Sequence, residues 1–501
     1  MGKQKIVLSI LVQLLFLGGL FSQSLNISLN NDLQFQYEDS IYNGKTLRHT
    51  SVKPFLQSNI GITDYKNDST KSIFTNGVIS PVLTGGIGYS QSDLVYNSGI
   101  GIRVKSNIGK QFAFDVSISE NYNRYPLLYD NRITPVSIPH YGAYNVNNHD
   151  YIYTDFNGYL SYSPNSYFNF QLGKYKNFFG DGYRSILLSD NSNSNWFLKG
   201  SVDIWRIKYT IIYNYFEDID CNDNTYKLHD KYSTVHHLSW NIGKRINFNL
   251  FETVIWHGED TSGYRGFDVN YLNPIIFYRP VEFSLGSPDN VVMGGGYKLR
   301  IAKTNHIYGQ VLLDEFKLAE LKAKSGWWGN KYGYQIGFKT YNLLNVKRLF
   351  WLIEYNRMRP FTFSHWSSLE NWGNYYQAMA HPLGANFDEL VSIFKYPYKK
   401  WLFKIKAIYS RHGEDFPNDS INYGGNIYRS YNDNINEYGN TMLQGNLISL
   451  TQVNISASYM IMPVWNLRAE AGIIYRNIYN TTDFYYYAGI KTNIFNNEID
   501  Y

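Results

Sequence analysis

The sequence predicts an all-β protein, a transmembrane antiparallel β-barrel of about 16 to 18 strands with short periplasmic turns and long extracellular loops. Three observations predict it. Apolar and polar residues alternate with a period of two along much of the chain, compact turn signals alternate with long irregular segments, and the N-terminus reads as an export leader. Composition agrees, since 501 residues include 47 Tyr, 30 Phe and 11 Trp while 17% are charged, and mean hydropathy is -0.36. A helical membrane protein needs repeated apolar runs of about 20 residues, and none follows the leader. Disordered chains are poor in aromatics. One cysteine, Cys221, excludes a disulfide framework and any thiolate cluster of zinc-ligand spacing.

The leader has Lys3 and Lys5 as a positive n-region, an apolar h-region from Ile6 to Phe21, and a small residue at Ser22-Gln23 where cleavage is expected. Residues 1–22 are therefore read as a signal peptide and residues 23–501 as one barrel domain exported to the outer membrane of a Gram-negative bacterium. No cysteine stands at the cut to carry a lipid. The formal charge of +5 falls further when the two leader lysines go, which gives no reason to expect nucleic acid as a partner.

Strands follow in order. Ile27, Leu29, Leu33, Phe35 and Tyr37 alternate with polar residues and predict a first strand. Phe112 to Ser119 and Phe168 to Leu172 repeat the pattern, as does Trp205 to Tyr215 with Arg206, Lys208 and Asn214 on the other face. Later examples are Trp351, Ile353 and Tyr355, then Trp401, Phe403 and Ile405 opposite Lys404 and Lys406, then Leu467 to Tyr475 opposite Arg468 and Glu470. A period of two cannot keep one helical face, so these segments are strands.

Turns join them. Asn107-Ile108-Gly109-Lys110 and Asn241-Ile242-Gly243-Lys244 are the same four residues between alternating runs, and Lys303-Thr304-Asn305 does similar work. Tyr122 to Asp150, Gly258 to Gly296, Pro360 to Tyr398 and Arg411 to Leu447 are long by contrast. Gly294-Gly295-Gly296 lacks nucleotide-site spacing and reads as a bend or loop. Tyr and Trp, apolar in body and polar at the tip, suit the lipid interface. Tyr501, after the alternation from Phe484 to Ile494, looks like the terminal aromatic that barrel-assembly machinery reads. A secreted β-sandwich or propeller is the competing architecture.

Catalysis has little support. His236 and His237 are adjacent, so on a strand they point to opposite faces and make a poor metal site. Ser364-His365 has no third member for nucleophilic chemistry. No catalytic residue, metal or cofactor is implied. Binding segments are better marked. Phe178 to Asn191 combines glycines, Asp181, Tyr183, Arg184, Asp190 and Asn191 with the apolar Ile186-Leu187-Leu188. Trp327 and Trp328, Arg357 and Arg359, and His381 within His381 to Asn386 concentrate rings, cations and turn residues. Flat rings stack on a sugar's apolar face while polar groups bond its hydroxyls. The same residues could instead lace a plug inside the barrel or form an interfacial girdle.

These segments also carry a resemblance. Asp181-Gly182-Tyr183-Arg184-Ser185 followed by Leu187-Leu188-Ser189-Asp190-Asn191 resembles the RemB-like gliding-motility outer-membrane proteins and, more distantly, the Wzi capsule-assembly family. Gly266 to Pro274, Leu285 to Asn290 and His381 to Asn386 strengthen it, and together they cover most of the chain from Gly158 onward. The resemblance implies an outer-membrane barrel without catalytic activity. Its implied partners are membrane lipid, surface polysaccharide, and motility or secretion machinery. One departure stands out. Where Wzi-like chains usually have Trp-Gly-Pro-Gly, this sequence has Phe179-Gly180-Asp181-Gly182. A diffusion channel with an open lumen is the second functional expectation.

Overall fold

The computed structural model describes residues 25–43, 48–57, 74–91, 93–126, 129, 132–134, 136–147, 149–220, 227–260, 263–275, 289–417, 419–479, 481–492 and 494–501. The signal-peptide expectation, Cys221 and residues 285–288 lie outside them.

Eighteen strands close into one antiparallel barrel, at the upper end of the expected count. In chain order they are β1 Phe74–Ser90, β2 Asp93–Ile108, β3 Phe112–Arg124, β4 Asp150–Tyr162, β5 Phe168–Tyr175 and β6 Asn195–Ile204. There follow β7 Ile207–Ile219, β8 Leu228–Ile242, β9 Ile246–His257, β10 Asn290–Arg300, β11 Asn305–Leu313 and β12 Tyr332–Thr340. The last are β13 Phe350–Met358, β14 Phe387–Tyr398, β15 Trp401–Glu414, β16 Asn446–Met462, β17 Leu467–Ile478 and β18 Thr481–Thr492. Each pairs with the next, and β18 closes on β1 from Thr84↔Lys491 to Tyr89↔Tyr486. Closure removes every unpaired edge, which is the condition for a sheet to sit in lipid.

Alternation decides which side chains face out. Ile100, Ile102, Leu172, Val311, Ile336, Ile405, Ile455 and Ile490 are exposed on the outer surface, as a lipid-facing belt requires. Their strand neighbours Arg103, Lys298, His306, Lys339, Glu389, Lys404 and Lys406 turn inward. The two Asn-Ile-Gly-Lys segments do form tight turns, with Gly109 at φ +62° and Gly243 at φ +69°, the left-handed region that glycine enters without strain. Turns 205–206, 243–245 and 399–400 mark one end of the barrel. Segments 125–149, 176–194, 258–289, 314–331, 359–386 and 415–445 leave the other.

Four expectations are corrected. The alternating run from Ile27 is not a wall strand; it lies inside the barrel and contains helix α1, Asn31–Asn43. Asn30 caps it, its side-chain oxygen accepting from the Asp32 and Leu33 amides at 3.2 and 2.9 Å. With all wall edges already paired, a helix satisfies the backbone of a segment placed in the lumen. Gly294 to Gly296 is not a bend but the middle of β10. A Cβ on Gly294 would stand 2.6 Å from Leu187 Cδ2, so glycine admits the luminal segment against the wall. Tyr501 does not end a wall strand: β18 stops at Thr492, and Tyr501 is buried in the lumen with Phe495 and Ile499. Long-loop boundaries also shift, because Phe387–Tyr398 and Asn290–Gly296 are strand.

Candidate functional site

The lumen is occupied by stretches of the chain itself: residues 25–43 and 48–57, 176–194, 359–386 and 494–501. Segment 176–194 holds five of the residues singled out in the sequence, Asp181, Tyr183, Arg184, Asp190 and Asn191. Phe178–Phe179 pairs with Val52–Lys53, and Ser185 ties the turn by donating to the Phe179 carbonyl at 2.6 Å. Gln310 of β11 clasps the same turn, donating to the Phe179 carbonyl and accepting from the Ile186 amide at 2.8 and 2.9 Å. Gly182 is required by contact, because a Cβ there would meet Glu354 Oε2 at 2.1 Å. The Glu354 carboxylate accepts from the Tyr183 and Arg184 amides at 2.9 and 3.0 Å and from the Tyr308 hydroxyl at 2.8 Å.

Arg184 is the centre of a buried ion network. It donates to Glu389 Oε1 at 3.0 Å and to Asp500 Oδ1 at 2.7 Å. His381 Nε2 lies 2.7 Å from the other oxygen of Glu389, and its ring stacks on Phe387 with centroids 4.1 Å apart. Lys406 meets Asp500 and also Glu498, the latter at 2.5 Å, while Lys404 bridges Glu498 and Asp32 at 2.7 and 3.5 Å. Lys395 completes the chain to Asp32 at 3.0 Å. Burial alone would lower the Arg184 guanidinium pKa, but Asp500 and Glu389 raise it well above the ordinary value. Burial would raise the carboxyls of Asp500 and Glu498, and the adjacent cations instead hold both below the usual range. The network is thus ionised, and it fastens the last residues to the 176–194 segment and the wall.

The remaining members of the segment are structural contacts of the same plug. Asp181 accepts from the Tyr42 hydroxyl at 2.8 Å, and its carbonyl accepts from Lys339 at 2.6 Å. The Tyr183 hydroxyl donates to Asp500 at 2.5 Å. Asp190 accepts from Asn496 Nδ2 at 2.8 Å, and Asn191 Nδ2 donates to the Ala378 carbonyl at 3.1 Å. Segment 359–386 descends from the long-loop end onto this layer, where Trp372 Nε1 donates to the Leu187 carbonyl at 2.8 Å.

The other predicted residues lie elsewhere. Trp327 and Trp328 belong to an aromatic surface that three long segments build together at the loop end. Trp328 stacks on Tyr431 with centroids 4.6 Å apart and meets Phe361 edge-on at 6.3 Å. Lys331 Nζ stands 4.3 Å over the Tyr431 ring, and Lys317 Nζ 4.2 Å over Trp327. His365 packs on Tyr431 and contacts Glu370 Oε2 at 2.5 Å, with Trp366 beside it exposed to solvent. Burial pushes the Glu370 carboxyl up to about 8. Arg359 lies just past β13, its guanidinium over the Tyr332 ring at 5.5 Å. Arg357 is on the outer face of β13 and joins neither group. Among the described residues, no group of three or more His, Cys, Asp or Glu is placed to hold a metal ion.

Sequence reasoning missed Glu354, Glu389, Glu498, Asp500 and Trp372. The inward lysines were visible as the polar face opposite Trp401, Phe403 and Ile405. The acidic pair Glu498 and Asp500 near the end of the sequence was the available complement.

A further feature is a cavity of about 320 Å³ on one side of the plug. Residues 494–499 of the tail, Asn30 and Tyr183 face it from the plug. Gly86, Asn97, Asn121, Tyr485 and Tyr487 face it from the wall.

An eighteen-stranded antiparallel barrel with an apolar outer belt and a lumen closed by its own chain defines a class, the transmembrane β-barrels, and the fold resembles that of Gram-negative outer-membrane proteins. Within it the chain is similar in structure to Wzi of Escherichia coli, an outer-membrane protein of group 1 capsule assembly that is a carbohydrate-binding β-barrel. That match has a TM-score of 0.58 at 13% identity and covers 93% of this chain and 98% of Wzi. OprD of Pseudomonas aeruginosa also matches, with a TM-score of 0.44 at 8% identity over 84% of this chain and 96% of OprD. No protein-family model and no curated protein sequence matches the chain.

Proposed function

We propose that this protein is a non-enzymatic outer-membrane barrel whose long-loop end faces the cell exterior and engages surface polysaccharide. The observation that carries the reading is the three-segment aromatic surface of Trp328, Tyr431, His365 and the exposed Trp366 above a lumen filled by the chain itself. Trp366 is exposed and the stacked Trp328 and Tyr431 are half-buried, and rings presented in this way suit the mixed apolar and hydroxylated faces of a sugar, since Trp and Tyr combine an apolar body with a polar handle. The buried ion network serves this role indirectly by holding segment 359–386 and hence the surface it carries. The likeness to Wzi supports the architecture, and the resemblance of Gly173 to Asn191 to RemB-like proteins favours surface movement or adhesion as the setting in which such a glycan contact operates.

The test compares a deletion strain with its parent for polysaccharide bound to cells against polysaccharide released to the medium. A shift toward release, restored by the intact gene but not by a displayed Trp366→Ala variant, is expected. An unchanged ratio overturns the reading. The cavity favours one second reading, a narrow diffusion path, which predicts steady conductance of the purified protein in a planar bilayer.

A further inference from the structure

We infer that the luminal cavity between the C-terminal tail and the sector β1–β3 and β17–β18 is a binding site for an uncharged oligosaccharide segment, an inference that rests on the polysaccharide reading above. Its volume of about 320 Å³ falls within the range of small-ligand sites, about 300–1,000 Å³.

Charge selects the ligand class. Six cations line the cavity, and each is already matched by a carboxylate. Arg184 pairs with Glu389 and Asp500, Lys395 with Asp32, Lys404 with Asp32 and Glu498, and Lys406 with Glu498 and Asp500. Arg124 pairs with Asp150 at 2.6 Å and Lys491 with Glu470 at 2.9 Å. At Arg184, Lys395, Lys404 and Lys406 an anionic ligand would have to break a pair in a buried setting, which is costly because it strands the other partner.

What the cavity offers instead is rings and carboxamides. Tyr485 and Tyr487 lie two apart on the inner face of β18, half-buried and stacked with centroids 5.5 Å apart and planes 25° from parallel. Asn97 of β2 faces the cavity and is exposed. Asn497 on the tail is exposed as well, and its Nδ2 donates to the Tyr141 hydroxyl at 2.5 Å. On the wall beside the rings Gly86 puts no side chain of its own into the space, and only the carboxamide of Asn97 reaches over it, which leaves a slot bounded on one side by flat rings. A ring pair suits the C–H face of a pyranose, and amides both donate to and accept from hydroxyls. A purely apolar ligand would leave these amides without water or a partner.

The experiment titrates the purified protein in detergent with short uncharged and charged fragments released from the parent strain's own surface polysaccharide. Two single variants, Asn97→Trp to fill the slot and Tyr487→Ala to remove a ring, are compared with wild type after each is shown to keep its heat-modifiable gel mobility. Binding of uncharged fragments by wild type, weakened at least tenfold in either folded variant, is the expected result. Wild-type affinity in both variants overturns the cavity site while leaving the surface reading intact, as does a preference for charged fragments. No fragment binding by a protein that still retains polymer on cells also overturns the cavity site alone. No binding together with no retention overturns both readings.

Discussion

The lumen has two unlike halves. Along β7 to β13 the inward side chains Ile212, Val235, Phe251, Val292, Leu312 and Met358 are all at or near full burial against Phe179, Leu187 and Trp372 of the plug. Along β17, β18, β1 and β2, the inward Tyr485, Tyr487 and Gly99 are only half-buried and Asn97 is exposed. Both halves are inner faces of one closed sheet. They differ in what approaches them: an apolar trio packs on the first, and a short polar tail stands off the second. Glycine appears in both with opposite results. Gly294 brings Leu187 of the plug into contact with the wall, whereas Gly86 is approached only by the wall's own Asn97 side chain. Whether a barrel interior is solid or hollow is thus a property of the plug's reach and not of the wall's polarity.

The largest test of that comparison removes the clamp of the packed half. Arg184→Ala strips the buried Glu389 of its guanidinium, with His381 its remaining partner, and leaves Asp500 to Lys406 alone, a loss of about 3–5 kcal/mol. Thermal unfolding in detergent is expected to move down sharply, and an unchanged midpoint would mean that the plug is held by packing alone. Trp372→Ala, which vacates a fully buried site over Leu187, should cost a similar amount, about 3–5 kcal/mol, read in the same way.

Gly294→Ala and Gly86→Ala set the halves side by side. The first puts a methyl 2.6 Å from Leu187 and 2.7 Å from the Val311 carbonyl and should cost about 1–3 kcal/mol. The second meets only the far end of Asn97, which can turn into the cavity, and should stay within about 0.5 kcal/mol. Equal effects would erase the distinction.

Acidity gives the next contrast. Asp500 and Glu498 have carboxyl pKa values lowered by the fold from 3.8 and 4.5, so their stabilisation is full above those values and is lost as pH falls below them. Unfolding midpoints should drop below about pH 4, and the double variant Glu498→Gln/Asp500→Asn should flatten that limb. Glu370 at the loop end behaves oppositely. Its carboxyl is raised from 4.5 to about 8, so the folded state holds a proton the unfolded chain lacks, and stability falls as pH climbs through that window. Glu370→Gln should remove this smaller slope, and persistence of the slope in that variant would assign it to another group.

Much of the wall was legible from particular residues. Trp401, Phe403 and Ile405 against Lys404 and Lys406 announced both a strand and which side faces water, because a two-residue period leaves one arrangement. The paired Asn-Ile-Gly-Lys segments announced turns. Of the site, Asp181 to Asn191 was visible as a dense mixed segment, but its reading as plug or glycan surface stayed open. Ile27 to Tyr37 misled because its alternation is compatible with a strand, while the Asn30 cap that favours a helix is one residue long. Trp327 and Trp328 were marked, yet their stacking partners Tyr431 and Phe361 are about a hundred and about thirty residues away.

By itself, then, the sequence determined an antiparallel barrel with an apolar exterior and a polar interior, since alternation is a local pattern that survives without tertiary information. The tertiary structure decided what occupies that interior. Arg184, Glu389, Asp500 and Lys406 come from four separate stretches of the chain, and ionised groups of both signs can be buried only where they meet. No local pattern records which distant partners will meet. Closure of the sheet brought each pair within 3.0 Å or less, and it also left a sector where nothing large enough arrived to fill the space.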